Sequence, residues 1–285
     1  RATTKYVVDG QQRSLALLAF YRNELRLSRQ IELTDAAGLT YEQLPPNLQG
    51  NFLSYLLEFD QFETGNEEDV REYFRRINSF TAPLNAEEQR HARFQGPMKW
   101  FVHQLTERYG ETFVNLGVLP KQSVVRMGDA KFIAEIVHAL LNGVTTTSKG
   151  KLDAMYKDFD RGDEVPDAAR LRAVIEDAIE TILQWEAVPG SAIVRTNVFY
   201  SLMLAVILVR KRWQTLISLV PQLPRGGITQ TAQENVLRLA AALSEPDVFS
   251  DYRHFTAAAA EKTNVKAQRE TRIQWFVRAL TERSI

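Results

Sequence analysis

The sequence predicts a mainly α-helical protein, with a partial α/β element at the N-terminus followed by a large α-helical domain. Three observations predict it. Residues 4–8, Thr-Lys-Tyr-Val-Val, read as one short buried strand. From residue 98 onward, apolar residues recur at helical spacing in segment after segment. Between those segments stand breakers, among them Gly143, Gly150, Pro189-Gly190 and Gly226-Gly227.

Taken in order, the strand is followed by a helix over 13–27. Its Leu15, Leu17, Leu18, Phe20, Tyr21 and Leu25 are apolar almost all round, which predicts burial. Residues 29–50 read as irregular, with Pro45-Pro46 as the breaker. Asn66 is a good N-cap for the next helix. Glu67, Glu68 and Asp69 favour its positive end, and Val70, Tyr73, Phe74 and Ile77 form its stripe. Asn85 and Glu88 have the spacing of a capping box that starts a helix at Ala86, and Gly96-Pro97 should kink or break it. Helices are then expected over 98–109, 129–142, 151–158, 166–187, 193–213, 231–243 and 264–282, with Thr231 and Glu234 as a second capping box. The domain division falls as 1–95 and 96–285. Because the chain begins at Arg1 and its first strand lacks an upstream partner, it reads as a piece of a longer polypeptide. The N-terminal part of its first domain would then be missing, and that part would complete a sheet.

Composition excludes several classes. Lys+Arg and Asp+Glu both number 35, so no global charge draws the chain to nucleic acid, and DNA binding would need a specific basic face. With no cysteine there is no disulfide, thiolate metal site or cysteine nucleophile, which suits a reducing, cytoplasmic setting. The four histidines, His91, His103, His138 and His254, show no ligand spacing and read as partly buried structural residues. The longest apolar run, "VFYSLMLAVILV" at 198–209, is shorter than the ~20 residues a membrane span needs. It reads as a core helix with a basic end at Arg210-Lys211-Arg212, so no membrane is expected.

The segment "VVDGQQRSLALL" sets a polar turn between two apolar elements. Two readings are open. In the structural one, Asp9 caps the helix, Gly10 supplies backbone freedom, and the glutamines and Arg13 are solvated. In the functional one, a strand entering a helix N-terminus presents free N–H groups to an anion. Gly10 would let a phosphate approach, Gln11 and Gln12 would supply amides, and Arg13 would grip phosphate oxygens in two places. Asp9 would hold a metal, orient a water or lock Arg13.

This string resembles the signature of the DGQQR-motif family, the N-terminal domain of GmrSD-type restriction endonucleases, whose fold is related to the ParB/sulfiredoxin superfamily. A second block, "YFRRINSFTAPLNAEEQRHA" at 73–92, resembles the family's F-x-R-[IL]-N…L-[NS]-x-x-E-x-R-x-A stretch through Phe74, Arg76, Ile77, Asn78, Leu84, Glu88, Arg90 and Ala92. Weaker echoes lie at 126–143 and 263–276. The chain departs from the pattern at Ser14-Leu15, where the family usually has Leu-Thr.

The resemblance implies a ParB-like first domain in which Asp9, Gly10, Gln11, Gln12 and Arg13 line a nucleoside triphosphate pocket, with Asp9, Gln12 and Arg13 catalytic. The nucleotide would be ATP, GTP or CTP, with Mg²⁺ assisting through ligands that the sequence does not identify. Arg76 and Asn78 belong to the pocket on this view; otherwise they end a helix, Asn78 as C-cap and Arg76 exposed. Glu88 and Arg90 read as structural, one capping and one pairing. The implied role is an NTP-binding and NTP-hydrolysing sensor of a bacterial DNA restriction or anti-phage defence system. Its partners would be DNA, plain or modified, and a nuclease domain on another chain or outside this fragment, and a homo-oligomer is compatible with it.

No nuclease motif accompanies the turn. The histidines form no histidine–asparagine–histidine cluster, and no carboxylate–carboxylate–lysine spacing looks purposeful. "GVTTTSKGKL" at 143–152 fails as a P-loop, since its glycines are too far apart and Leu152 follows the lysine. It reads as a loop. Lys266, Arg269 and Arg272 on the last helix are the candidate DNA contacts, or would face the nucleotide pocket. The rival from another class is a non-enzymatic module that binds DNA or a partner protein and keeps a relic nucleotide site.

Overall fold

The computed structural model describes residues 10–28, 31, 34–59, 61, 69, 84–160, 164–186 and 188–285, with the backbone alone for Gln11, Gln12 and Thr34. The described residues are mainly helical and contain no strand. The anticipated strand over 4–8 lies outside them, as does nearly all of the helix anticipated from Asn66. Two compact units divide between Pro83 and Leu84, so the boundary precedes residue 95 and the Asn85-capped helix belongs to the second unit.

In the first unit, α1 (Gln11–Tyr21) and α2 (Pro46–Ser54) are joined through single turns at Thr34–Ala36 and Tyr41–Gln43. A small cluster of Phe20, Ala36 and Leu44 is buried, with the Phe52 ring edge-on to Phe20 at 5.4 Å. The expectation that α1 is buried fails: Leu15 is 51 % exposed, Leu18 48 % and Tyr21 49 %. A cluster this small has too little apolar surface to cover more than one edge of the helix. Pro45-Pro46 also differs from expectation. Pro46 occupies the first helical position of α2, where its missing N–H costs nothing, so the pair starts a helix.

The second unit comprises α3 (Ala86–Arg93), α4 (Pro97–Asn115), α5 (Lys121–Val125), α6 (Gly128–Asn142), α7 (Lys149–Asp158), α8 (Ala168–Leu183), α9 (Thr196–Lys211), α10 (Ala232–Ser244), α11 (Arg253–Ala260) and α12 (Lys266–Thr281). Every side chain from Val198 through Val209 is buried, so α9 is the axis of this unit. It packs most extensively along α12 and next along α8. Each large apolar side chain buried this way contributes about 1.5–3 kcal/mol. An exposed ion pair contributes only about 0–1 kcal/mol, so burial along α9 dominates the stability of the unit.

Local signals explain the ends. Gly96 stands at the N-cap of α4 and Pro97 is its first residue, which ends α3 as the dipeptide predicts. At the end of α6, Gly143 takes φ 77°, and Trp213 Nε1 and Thr215 Oγ1 donate to the Leu140 carbonyl at 2.7 and 3.0 Å. The second capping box is absent. Thr231 makes no side-chain cap to α10; its hydroxyl lies 3.4 Å from that of Thr229 instead. The short helices α5 and α11 were not anticipated.

Candidate functional site

At α1, Gly10 is the N-cap residue and takes φ 81°, a left-handed conformation that glycine adopts without steric cost. Its carbonyl accepts the Ser14 N–H at 2.9 Å. No acidic residue stands in the first turn. The Arg13 side chain folds back toward the turn: a Cβ on Gly10 would lie 3.4 Å from Arg13 Nη2 and 3.8 Å from Nε. An exposed guanidinium therefore sits beside the positive end of the helix, two features that attract the same anion. Asp9, Arg76 and Asn78 lie outside the described residues, as do the side chains of Gln11 and Gln12. The structure thus places Gly10 and Arg13 together and leaves the rest of the predicted site undescribed.

The described half of the second block is built from its cap. Asn85 Oδ1 accepts the N–H groups of Glu87 and Glu88 at 2.8 and 2.9 Å, and Glu88 Oε2 accepts the Asn85 N–H at 2.7 Å. That backbone N–H, aided by Arg126, holds the Glu88 carboxyl below the usual carboxylate range. Arg90 is buried and sits between Glu87 and Asp153, with Nε donating to Asp153 Oδ1 at 2.8 Å and its Nη1 on the Glu87 carboxylate. Burial works against its charge, but Glu87 and Asp153 more than restore it. One residue caps and the other pairs, as the spacing indicated.

The expected DNA face is corrected. Lys266 is exposed and 3.7 Å from Glu270, but Arg269 and Arg272 are buried against α9. Arg269 donates to Glu135 Oε2 and Thr147 Oγ1, both at 2.6 Å, with its guanidinium 4.5 Å from the Tyr200 ring centre. Burial pushes the Tyr200 hydroxyl up to about 12. Arg272 is spent on neutral oxygens: Ser201 Oγ at 3.0 Å, the Ala258 carbonyl at 2.5 Å and the Thr263 carbonyl at 2.8 Å. Burial, with Arg269 nearby, pulls its pKa down to about 10. These two cations hold α12 in place and present no charge to a strand.

The fold also brings His91 and His103 together, with ring centres 6.1 Å apart, a pairing that sequence spacing did not show. Burial lowers the pKa of His91, and neighbouring Lys99 and His103 add to the effect. His138 is buried and shifted the same way, whereas His254 is exposed. Among the described residues no group of three or more histidines, aspartates or glutamates is placed to hold a metal ion. No helix among them is long and apolar enough to cross a membrane.

Sequence reasoning missed one feature. Arg126, Lys131 and Lys149, none of them singled out by a motif, converge with Asn85 and Arg90 on a cleft of about 390 Å³ in the second unit. The loop rejected as a P-loop supplies one wall through Thr147 and Ser148. Comparison with protein-family models, curated proteins and solved structures finds no match to this chain.

Proposed function

We propose that the chain is an NTP-binding and NTP-hydrolysing module of a bacterial DNA restriction or anti-phage defence system. One observation supports the reading most: Gly10 in a left-handed conformation at the start of α1, with Arg13 folded beside it. The backbone N–H groups of the first turn would take one face of a phosphate chain while Arg13 takes the other. Resemblance of the DGQQR turn and of the 73–92 block to their family supplies the rest. On that reading the first unit is ParB-like, Asp9 and Gln12 orient the attacking water, and Arg76 and Asn78 complete the pocket. Charge developing on the transferred phosphoryl group is stabilised by Arg13, with Mg²⁺ assisting. Turnover gates a nuclease carried on another polypeptide segment or chain, in response to plain or modified DNA in the cytoplasm.

The test is binding and hydrolysis of ATP, GTP and CTP with Mg²⁺, with and without DNA, in the wild type and Arg13→Ala. The variant is expected to keep its fold and lose nucleotide binding at this turn. Wild-type affinity in a folded Arg13→Ala protein, at a site mapped to α1, overturns the assignment. Tight binding with no turnover under any condition would identify a non-enzymatic module with a relic site.

A further inference from the structure

We propose that the cleft in the second unit is a separate binding site for a phosphorylated small molecule of nucleotide size. It is independent of the site at α1. Four chain segments meet there: the start of α3, the α5–α6 junction, the loop into α7, and the residues preceding α12. They are cross-linked. Asn85 Nδ2 donates to the Arg126 carbonyl at 2.7 Å, Lys149 Nζ to Gln89 Oε1 at 2.6 Å, and Arg269 Nη1 to Thr147 Oγ1 at 2.6 Å. The α5–α6 junction is tight as well, since a Cβ on Gly128 would fall 1.9 Å from Ser123 Oγ. A cleft fixed this way loses little freedom when a ligand arrives, which favours binding.

Its charge is positive once the pairs are set aside. Of the carboxylates facing it, Glu87 is held by Arg90 and Glu135 by Arg269 at 2.6 Å. Arg126 Nε lies 2.7 Å from Glu88 Oε1, and Asp153, behind the wall, shares Arg90. Lys131 has no carboxylate partner among the described residues, and Lys149 donates to a neutral amide. The N-terminus of α7 adds to this, whereas the first turn of α6 already holds the Asp129 carboxylate, whose Oδ1 accepts the Ala130 N–H. Ser148 precedes α7 and places no side-chain cap on it. Such an end is equivalent to roughly half a positive charge. Two lysines and the N-terminal end of α7 suit a multiply charged tetrahedral oxyanion better than a single carboxylate. The volume, about 390 Å³, lies within the range of roughly 300–1,000 Å³ typical of small-ligand sites and exceeds what one phosphate would fill.

The test titrates the full chain with tripolyphosphate, with ATP and with a short DNA duplex, by calorimetry at fixed salt. The proteins compared are wild type, Arg13→Ala, and the double variant Lys131→Ala/Lys149→Ala. Both lysines are exposed, so the double variant is expected to fold. Tripolyphosphate should bind Arg13→Ala, and the lysine changes should weaken that binding at least tenfold. Binding unchanged in the lysine variant but lost in Arg13→Ala would overturn the cleft and leave the α1 site standing. Loss of duplex binding alone in the lysine variant, with tripolyphosphate unaffected, would also overturn it and mark a strand contact instead.

Discussion

Arg90→Met removes a charge while keeping most of the apolar stem, and the structure says what remains. The Glu87 carboxylate is 8 % exposed and would stay in its buried place without a counter-charge. Breaking a buried pair from one side costs about 3–5 kcal/mol. Asp153, 23 % exposed, can recover water and adds less than about 1 kcal/mol. The expected loss is therefore about 3–5 kcal/mol out of a typical total of about 5–15 kcal/mol. Urea denaturation followed by tryptophan fluorescence isolates this effect, because Trp100, Trp185, Trp213 and Trp275 all lie in the second unit. A second variant decides the cause. Adding Glu87→Gln to Arg90→Met removes the stranded charge and should return about 2 kcal/mol or more, a coupling that only a contacting pair shows. A loss below about 1 kcal/mol for Arg90→Met, or a double variant less stable than the single, would refute the electrostatic account.

Two further changes test the packing and the charge pattern. Gly96→Ala would set a Cβ 2.1 Å from the Phe159 carbonyl oxygen and 2.4 Å from Asp160 Cα, so backbone must move. A loss of about 3 kcal/mol or more is expected in the urea midpoint, at or beyond the usual range for overpacking. The same change at Gly50, with nothing within 4 Å, should be neutral or stabilising. Arg210 grips Asp177 with two bonds of 2.7 Å and holds its carboxyl below the usual range. A lowered folded pKa gives stability that is present above the unfolded value and lost as pH falls through the folded one. Arg210→Ala should therefore destabilise at pH 7 by less than about 1 kcal/mol, given the exposure of the pair. The difference from wild type should vanish in strong acid, and a constant difference across pH would count against it.

What could be read in advance was local. The Asn85 cap needs only residues three apart, and it formed. The apolar run at 198–209 needs only its own composition to become the core of a unit. Thr231 had the same local spacing as Asn85, but its hydroxyl lies beside Thr229, and no local rule foretold that. Arg269 and Arg272 were read as surface because charged side chains are seldom buried unless paired or hydrogen-bonded. Their partners come from Glu135, Thr147, Ser201 and Ala258, which only tertiary packing brings near. The cleft escaped for the same reason. Its residues are contributed by four separated stretches, and none has a pattern of its own. At α1 the glycine was legible from the turn, while the exposure of Leu15 and Leu18 depends on what covers them.

Helix α9 has a consequence for how this unit is made. Its apolar surface is closed largely by α12, which leaves the ribosome only after α10 and α11 have been synthesised. Throughout that interval α9 can lie against α8, but the face that α12 covers stays open. A chaperone that shields apolar helices would find that open face in the nascent chain. A chain broken before Lys266 would leave that face of α9 bare to water.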